Sequence, residues 1–340
     1  MRNVYSYDDV LLIPKYSDID SRSKISISSN LNCNLEFGLP VISSPMDTVT
    51  GPAMARSMYN HGGLGIVHRY NSIEEQVSMV LESRREQRLI IGAAVGVTGD
   101  FIERAAALCD AGCSIVCIDV AHGHHSLMKN ALAQLRNTLG NKVHIMAGNV
   151  ATRDALEALA DWGADSVRVG IGGGSICSTR LVTGHGLPTF QSILDCSKTD
   201  YDIKIIADGG IKTTGDMLKA LAAGADFVMV GSMLAGTNES PGQVFSDNAG
   251  KKYKVYRGMA SSMAQKSWRG KSSTPEGIST TIPYKGDVGS ILENIAGGLR
   301  SGLSYSGSKT ISEFQAKSEF VLQSSAGMME SSTHILSRYK

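Results

Sequence analysis

Eight short apolar runs, each bounded by Gly, Asp or Asn and alternating with helical patterns, constrain this chain of 340 residues more than any other feature. They cover Pro40–Met46, Gly63–His68, Leu89–Gly96, Ser114–Ala121, Lys142–Val150, Ser166–Gly172, Lys204–Ile211 and Phe227–Met233. Rich in Val and Ile, they read as buried parallel strands. Between them, Ser72-Ile73-Glu74-Glu75 has the Ser and Glu of a helix-opening capping box. Thr152–Ala160 and Thr213–Ala223 place Leu156 and Leu159, and Met217, Leu218 and Leu221, on single helix faces. Trp162–Asp165 and Ala223–Asp226 close such helices with a glycine suited to the left-handed residue past a helix end. Eight strand–helix units predict a closed (β/α)8 barrel, a TIM barrel, in preference to an open doubly wound sheet. Residues 1–323 read as that single domain, with a C-terminal flap or extension over about 258–290 in a less regular stretch from Gly250 to Tyr305. The tail over 324–340 is expected to be flexible.

Charge and composition remove several classes of function. Lys and Arg number 33 against 32 Asp and Glu, so no basic field favours nucleic acid or an anionic membrane. No apolar run is long enough to span a bilayer. The first residues lack the apolar core of a secretory signal, and six cysteines are too few for a disulfide scaffold. A cytoplasmic protein acting on a small molecule is expected. Glycine, at 37 residues, exceeds its usual share of about 7%, which implies tight turns or close approach of backbone to a ligand.

The candidate chemistry follows strands six, seven and eight, where ligand loops gather in a barrel. Gly170-Ile171-Gly172-Gly173-Gly174-Ser175-Ile176-Cys177-Ser178-Thr179-Arg180 sets a nucleophilic sulfur on a loop able to turn backbone groups toward a charged ligand. Asp208-Gly209-Gly210 and Gly231-Ser232 offer amides, a hydroxyl and a carboxylate suited to a ribose phosphate. His122, His124 and His125 lack a partner at zinc-ligand spacing, and a ligand-facing loop is the preferred reading. Cys109, Cys113 and Cys117 read as buried small apolar residues. Lys285 and Asp287 form a candidate surface pair, and Glu276 is either a proton shuttle or merely solvated.

The cysteine loop from Gly172 to Arg180 resembles that of the IMP dehydrogenase/GMP reductase family. Met46-Asp47-Thr48-Val49, Met146-Ala147-Gly148-Asn149-Val150, Ala207-Asp208-Gly209-Gly210 and Tyr284-Lys285-Gly286-Asp287 resemble it too, in order, from about Tyr7 to Phe320. The resemblance implies a barrel usually assembled as a homotetramer and acting at C2 of a purine nucleotide. The regulatory domain that dehydrogenases usually carry inside the barrel is lacking. Gly258–Gly270 has no Arg-Tyr pair of the kind that activates water in the dehydrogenases, and it is similar to the reductase stretch. Asp119–His124, Gly231-Ser232, Val255–Met259 and Pro275–Ile278 are closer to the dehydrogenase pattern, and Ser178 and Arg69 also depart from the reductases.

The activity implied first is reductive deamination of GMP to IMP with NADPH or NADH, releasing ammonia. The alternative is oxidation of IMP to XMP with NAD+, and a third reading is nucleotide binding without turnover. By position, the resemblance gives catalysis to Cys177, Thr179 and Glu276. It gives the substrate Ser175, Asp208, Gly209, Gly210, Gly231, Ser232, Arg257, Gly258, Met259 and Gly277. It gives the cofactor Ser21, Arg22, Arg69, Asp119, Val120, Ala121, Ile171 and Gly172, with Ser301, Gly302, Leu303 and Ser304 reaching a neighbouring subunit. A potassium ion is implied at Gly172, Gly174, Cys177 and Arg180.

Overall fold

The structure is a computed structural model and describes residues 1–84 and 89–331. The eight expected strands form one closed parallel barrel. They are β1 (Val41–Ser43), β2 (Leu64–Val67), β3 (Gly92–Val95), β4 (Ile115–Asp119), β5 (His144–Val150), β6 (Ser166–Val169), β7 (Lys204–Asp208) and β8 (Phe227–Val230). Most are shorter than the apolar runs that predict them. Residues such as Met46, Ile171 and Gly231 lie past the last ladder bond and line a cavity at the C-terminal mouth.

The outer ring consists of α1 (Pro52–Asn60), α2 (Ile73–Arg84), α3 (Phe101–Asp110), α4 (Ser126–Leu139), α5 (Arg153–Asp161), α6 (Thr189–Cys196), α7 (Thr214–Ala222) and α8 (Val288–Tyr305). The capping box at α2 is present: Ser72 Oγ accepts from Glu75 N at 3.1 Å, and Ser72 N donates to Glu75 Oε2 at 2.9 Å. Gly163 and Gly224 adopt φ of 99° and 109° just past α5 and α7, a conformation open to glycine at little cost.

Two regions differ from the sequence reading. The stretch read as irregular up to Tyr305 ends in α8, a regular helix of 18 residues. Its glycines obscured it, and packing explains two of them. A methyl group at Gly298 would lie 2.6 Å from Thr214 Cγ2, and one at Gly302 would lie 2.2 Å from Leu218 Cδ1. Close contact between α7 and α8 therefore excludes side chains there, while Val288, Leu292, Ile295, Leu299 and Leu303 form the buried stripe. The expected flexible tail also begins with structure: Ser324 Oγ caps a short helix, Ser325–Glu330, by accepting from Gly327 N. Just before it, Phe320–Leu322 pairs with Val10–Leu12. Residues 332–340 lie outside the described residues.

Between β8 and α8 the chain makes one long excursion. It holds an antiparallel sheet of Phe245–Ser246, Lys252–Arg257 and Ser279–Pro283, and a helix at Ser262–Arg269. Among the described residues no helix is long and apolar enough to cross a membrane.

At the opposite end of the barrel, His144 is buried on β5, with Nε2 2.8 Å from Ser166 Oγ and Nδ1 unpartnered. Burial lowers its pKa to about 4, against a coulombic pull upward from Asp165. A folded-state pKa below the unfolded value means that the unfolded chain takes up the proton first as pH falls. Stability is therefore lost between about pH 6.5 and 4 and changes no further below that through this group. The expected loss is about 3 kcal/mol, and His144→Gln removes that part of the pH dependence in urea denaturation.

Candidate active site

The cavity at the C-terminal mouth, about 390 Å³, is assembled from the loops after the strands and from the excursion that covers them. One end is main chain. The Gly172–Gly174 loop touches the Gly209–Gly210 turn so closely that a methyl group at Gly173 would lie 3.3 Å from Gly209 C, and one at Gly209 would lie 3.1 Å from Gly174 N. Gly231 completes this cradle. A methyl group there would approach Met46 Sδ at 3.1 Å and the Tyr256 hydroxyl at 3.2 Å. Tyr256 and Ser175 face each other across it, their hydroxyls 3.4 Å apart. Amides and hydroxyls around a space that side chains would fill suit an anion.

Cys177 lies beside this cradle, and its thiol donates to Thr179 Oγ1 at 3.2 Å. Thr179 Oγ1 in turn donates to Glu276 Oε2 at 2.9 Å. A continuous proton path thus runs from a nucleophilic sulfur to a carboxylate. Backbone pairing holds it together. Ser178 N donates to Glu276 O at 2.9 Å, Ile278 N donates to Ile176 O at 3.0 Å, and Cys177 bridges Gly277 as in an antiparallel pair. The excursion is thereby tied to the cysteine loop, and Glu276 is a partner in the site, not a solvated surface group.

A polar cluster forms the barrel-side wall. Asp208 Oδ2 accepts from Asn149 Nδ2 at 2.9 Å and from Arg168 Nη2 at 3.0 Å. Arg168 Nη1 also donates to Asp119 Oδ1 at 2.8 Å. Arg69 joins from the loop after β2, donating from Nη2 to the Asp119 carbonyl at 3.1 Å. The Arg168 and Arg69 charges hold the Asp119 pKa below the usual carboxylate value although burial acts the other way. Asn149 Oδ1 is buried without a hydrogen-bond partner, so this end keeps an acceptor for a donor such as a carboxamide or a sugar hydroxyl.

Most residues assigned from the sequence line this one cavity, among them Cys177, Thr179, Glu276, Ser175, Asp208, Gly210, Ser232, Met259, Arg69, Asp119, Val120 and Ala121. Others do not. Arg257 stands behind the wall, paired with Asp47 through Nε at 2.9 Å. Arg180 crosses under Gly172 and donates to the carbonyls of Ile171 and Leu187. Ser21 and Arg22 begin a short turn that packs on α8, the helix that carries Ser301–Ser304. That group lies off the cavity, and within it Leu303 is buried and Gly302 faces Leu218.

The histidines after β4 are absent from the cavity lining as well: His125 caps α4 and His124 tilts over Trp162. Among the described residues no group of three or more His, Cys, Asp or Glu could hold a metal ion. Lys285 and Asp287 do not pair. Lys285 donates to the carbonyls of Ser232 and Met233, and Asp287 caps α8. Burial pushes Cys113 up to about 12 and Cys117 up to about 11, consistent with inert thiols.

Sequence reasoning missed Arg168, Asn149, Tyr256 and Tyr70, which also line the cavity. The signal for Arg168 was available: a charge inside a four-residue buried strand persists only when it is paired. Tyr70 carries a further contact. Its ring stacks on Trp268 of the flap helix with centroids 5.7 Å apart and planes 13° apart, and Arg69 lies over the same ring. Neither Trp268 nor Arg269 lines the cavity. An aromatic pair contributes about 1 kcal/mol beyond area burial. Trp268→Ala is therefore expected to raise proteolytic nicking within 258–287 about fivefold while leaving the melting temperature of the barrel nearly unchanged.

Comparison with known proteins follows the same outline. The family profile described as "IMP dehydrogenase / GMP reductase domain" matches residues 4–334. The chain is 35% identical to an inosine-5'-monophosphate dehydrogenase of Nitrosopumilus maritimus, across 97% of this chain and 98% of that protein. It is 34% identical to a GMP reductase of Leishmania major, across 98% and 97%. A crystal structure of a GMP reductase from Trypanosoma brucei, a Cys-to-Ala variant in complex with guanosine 5'-monophosphate, superposes with a TM-score of 0.93 at 31% identity, covering 98% of both chains. The two sequence alignments extend over 468 and 478 positions, so both relatives hold internal residues that this chain lacks. The missing insertion therefore does not separate the two activities.

Proposed function

We propose that this chain, which belongs to the IMP dehydrogenase/GMP reductase family of oxidoreductases, acts as a GMP reductase that converts GMP to IMP and ammonia at the expense of NADPH or NADH. The observation that carries this reading is the hydrogen-bonded path from Cys177 through Thr179 to Glu276, together with a flap whose Trp268 and Arg269 stay off the cavity. The reductase must deliver a proton to an amine. The dehydrogenase must activate a water, and the flap presents no residue to the cavity that resembles the Arg-Tyr pair used for it.

The glycine cradle with Ser175, Ser232 and Tyr256 would take the phosphate, and Asp208 the ribose hydroxyls. The base then stacks above the cysteine loop with C2 at the sulfur. The thiol proton passes through Thr179 to Glu276, and the sulfur bonds to C2. Glu276 returns a proton by the same path to the exocyclic amine, the C2–N bond breaks, and ammonia leaves. The nicotinamide cofactor, when bound, supplies a hydride to C2. The C2–S bond then breaks, returning the thiolate and leaving IMP. One hydride and one proton enter and one ammonia departs.

Arg69, Asp119 and Asn149 fit the cofactor end, because Asn149 keeps a free acceptor beside two anchored charged groups. Carbonyls at Gly172, Gly174 and Cys177 lie within one turn, with Cys177 N bonded to Gly174 O at 3.1 Å. Neutral carbonyls with no carboxylate among them would suit a monovalent potassium ion. Ser21, Arg22 and Ser301–Ser304, gathered on α8 away from this chain's own cavity, would serve the cavity of a neighbour in a homotetramer. A cytoplasmic location completes the reading.

The test is incubation with GMP and each reduced cofactor, following cofactor absorbance and ammonia together. Equal loss of reduced cofactor and gain of ammonia is expected. Robust oxidation of IMP by NAD+ without GMP turnover would overturn the assignment in favour of the dehydrogenase. Glu276→Gln keeps a hydrogen-bond acceptor but cannot carry the proton, and it is expected to lower kcat for GMP by roughly a hundredfold or more with little change in GMP binding.

A further inference from the structure

Arg168 has no part in the reaction above, yet it is the most connected charge in the cavity. It sits on β6 in register with Gly148 of β5 and Ile206 of β7, and Gly148 in turn faces Asp119 of β4. A methyl group at Gly148 would lie 2.6 Å from Arg168 Cβ. The bare backbone at Gly148 leaves room for the Arg168 side chain to pass toward Asp119.

One guanidinium then serves two carboxylates. Nη1 donates to Asp119 Oδ1 at 2.8 Å, while Nε and Nη2 donate to Asp208 Oδ2 at 3.3 and 3.0 Å. Only 7% of the Arg168 side chain is exposed, against 18% for Asp119 and 15% for Asp208. Two largely buried carboxylates on one planar cation form a geometry that a lysine ammonium cannot reproduce.

We propose that Arg168 is a positioning residue that couples the two nucleotide sites, holding the carboxylate on the substrate side and the carboxylate on the cofactor side as one unit, so that filling either site favours filling the other. The inference rests on the functional reading, which sets Asp208 against the substrate ribose and Asp119 at the cofactor. Binding at Asp208 fixes the fork of Arg168 and with it Asp119, so the second ligand meets a group already ordered. Thermodynamic linkage makes the effect reciprocal.

The charges around the pair define a second readout. Arg69, Arg168 and Cys117 face Asp119, and Arg168 faces Asp208 beside the phenols of Tyr7 and Tyr256. Without Arg168, Asp208 keeps no cationic partner among these groups and Asp119 keeps only Arg69. Burial then favours protonation of Asp119.

The experiment is calorimetric titration of GMP from pH 5 to 8, alone and with saturating oxidised dinucleotide, for the full chain and for Arg168→Lys and Arg168→Gln. The unaltered chain is expected to bind GMP at least fivefold more tightly when the dinucleotide is present. Arg168→Lys, which keeps the charge, is expected to bind each ligand with that factor reduced to near one and its pH profile unmoved. Arg168→Gln is expected to shift the acidic limit of dinucleotide binding, titrated alone over the same range, upward by about one pH unit or more. An undiminished factor in Arg168→Lys, an unmoved acidic limit in a folded Arg168→Gln, or no coupling in the unaltered chain overturns the proposal while leaving GMP as the substrate. Absence of any purine nucleotide binding by the unaltered chain overturns the functional reading and this inference together.

Discussion

The arrangement depends first on a pair of main-chain hydrogen bonds between segments about a hundred residues apart. Ser178 N to Glu276 O and Ile278 N to Ile176 O stitch the loop after β6 to the excursion after β8. Neither segment is complete alone. The loop carries a sulfur with no base, and the excursion carries a carboxylate with nothing to act upon. Joined, they place Thr179 between the two within hydrogen-bond reach of each. Because the link is backbone, it fixes the carboxylate in register with the sulfur whatever the flap helix does farther out, where a single aromatic stack holds it to Tyr70.

Inside the barrel mouth the governing constraint is charge in a dry place. Asp119, Asp208, Arg69 and Arg168 balance one another in number and leave no uncompensated ion, as partly desolvated charges require. Breaking such a set by removing one member costs far more than the set contributes to stability. Its value lies in linking the oxygens that the two ligands would meet. The geometry in turn needs Gly148, whose missing side chain gives Arg168 its room.

Much of this was legible in the sequence. The eight runs of Val and Ile mark the strands because both faces of a barrel strand are buried, and the glycine-rich segments mark the mouth because backbone had to come close there. The path through Thr179 and Glu276 followed from the family resemblance, not from spacing, since 97 residues separate them. Arg168 went unread because its neighbours are apolar and a strand pattern absorbs one polar residue without comment, and Asn149 stood in a family-like motif without a role of its own. The helix over Val288–Tyr305 was hidden for the opposite reason: glycines lower its helix propensity, and two of them, Gly298 and Gly302, are required by contact with α7.

A cradle composed of peptide groups is hard to retune. Most substitutions leave an amide where it was, and those at Gly173 and Gly209 press on the facing segment. Evolution working on such a grip has little freedom in what is held and much in what is done to it. The side chains free to vary sit on the excursion, so a change of chemistry within one lineage can proceed by rewriting the cover while the floor stays as it is.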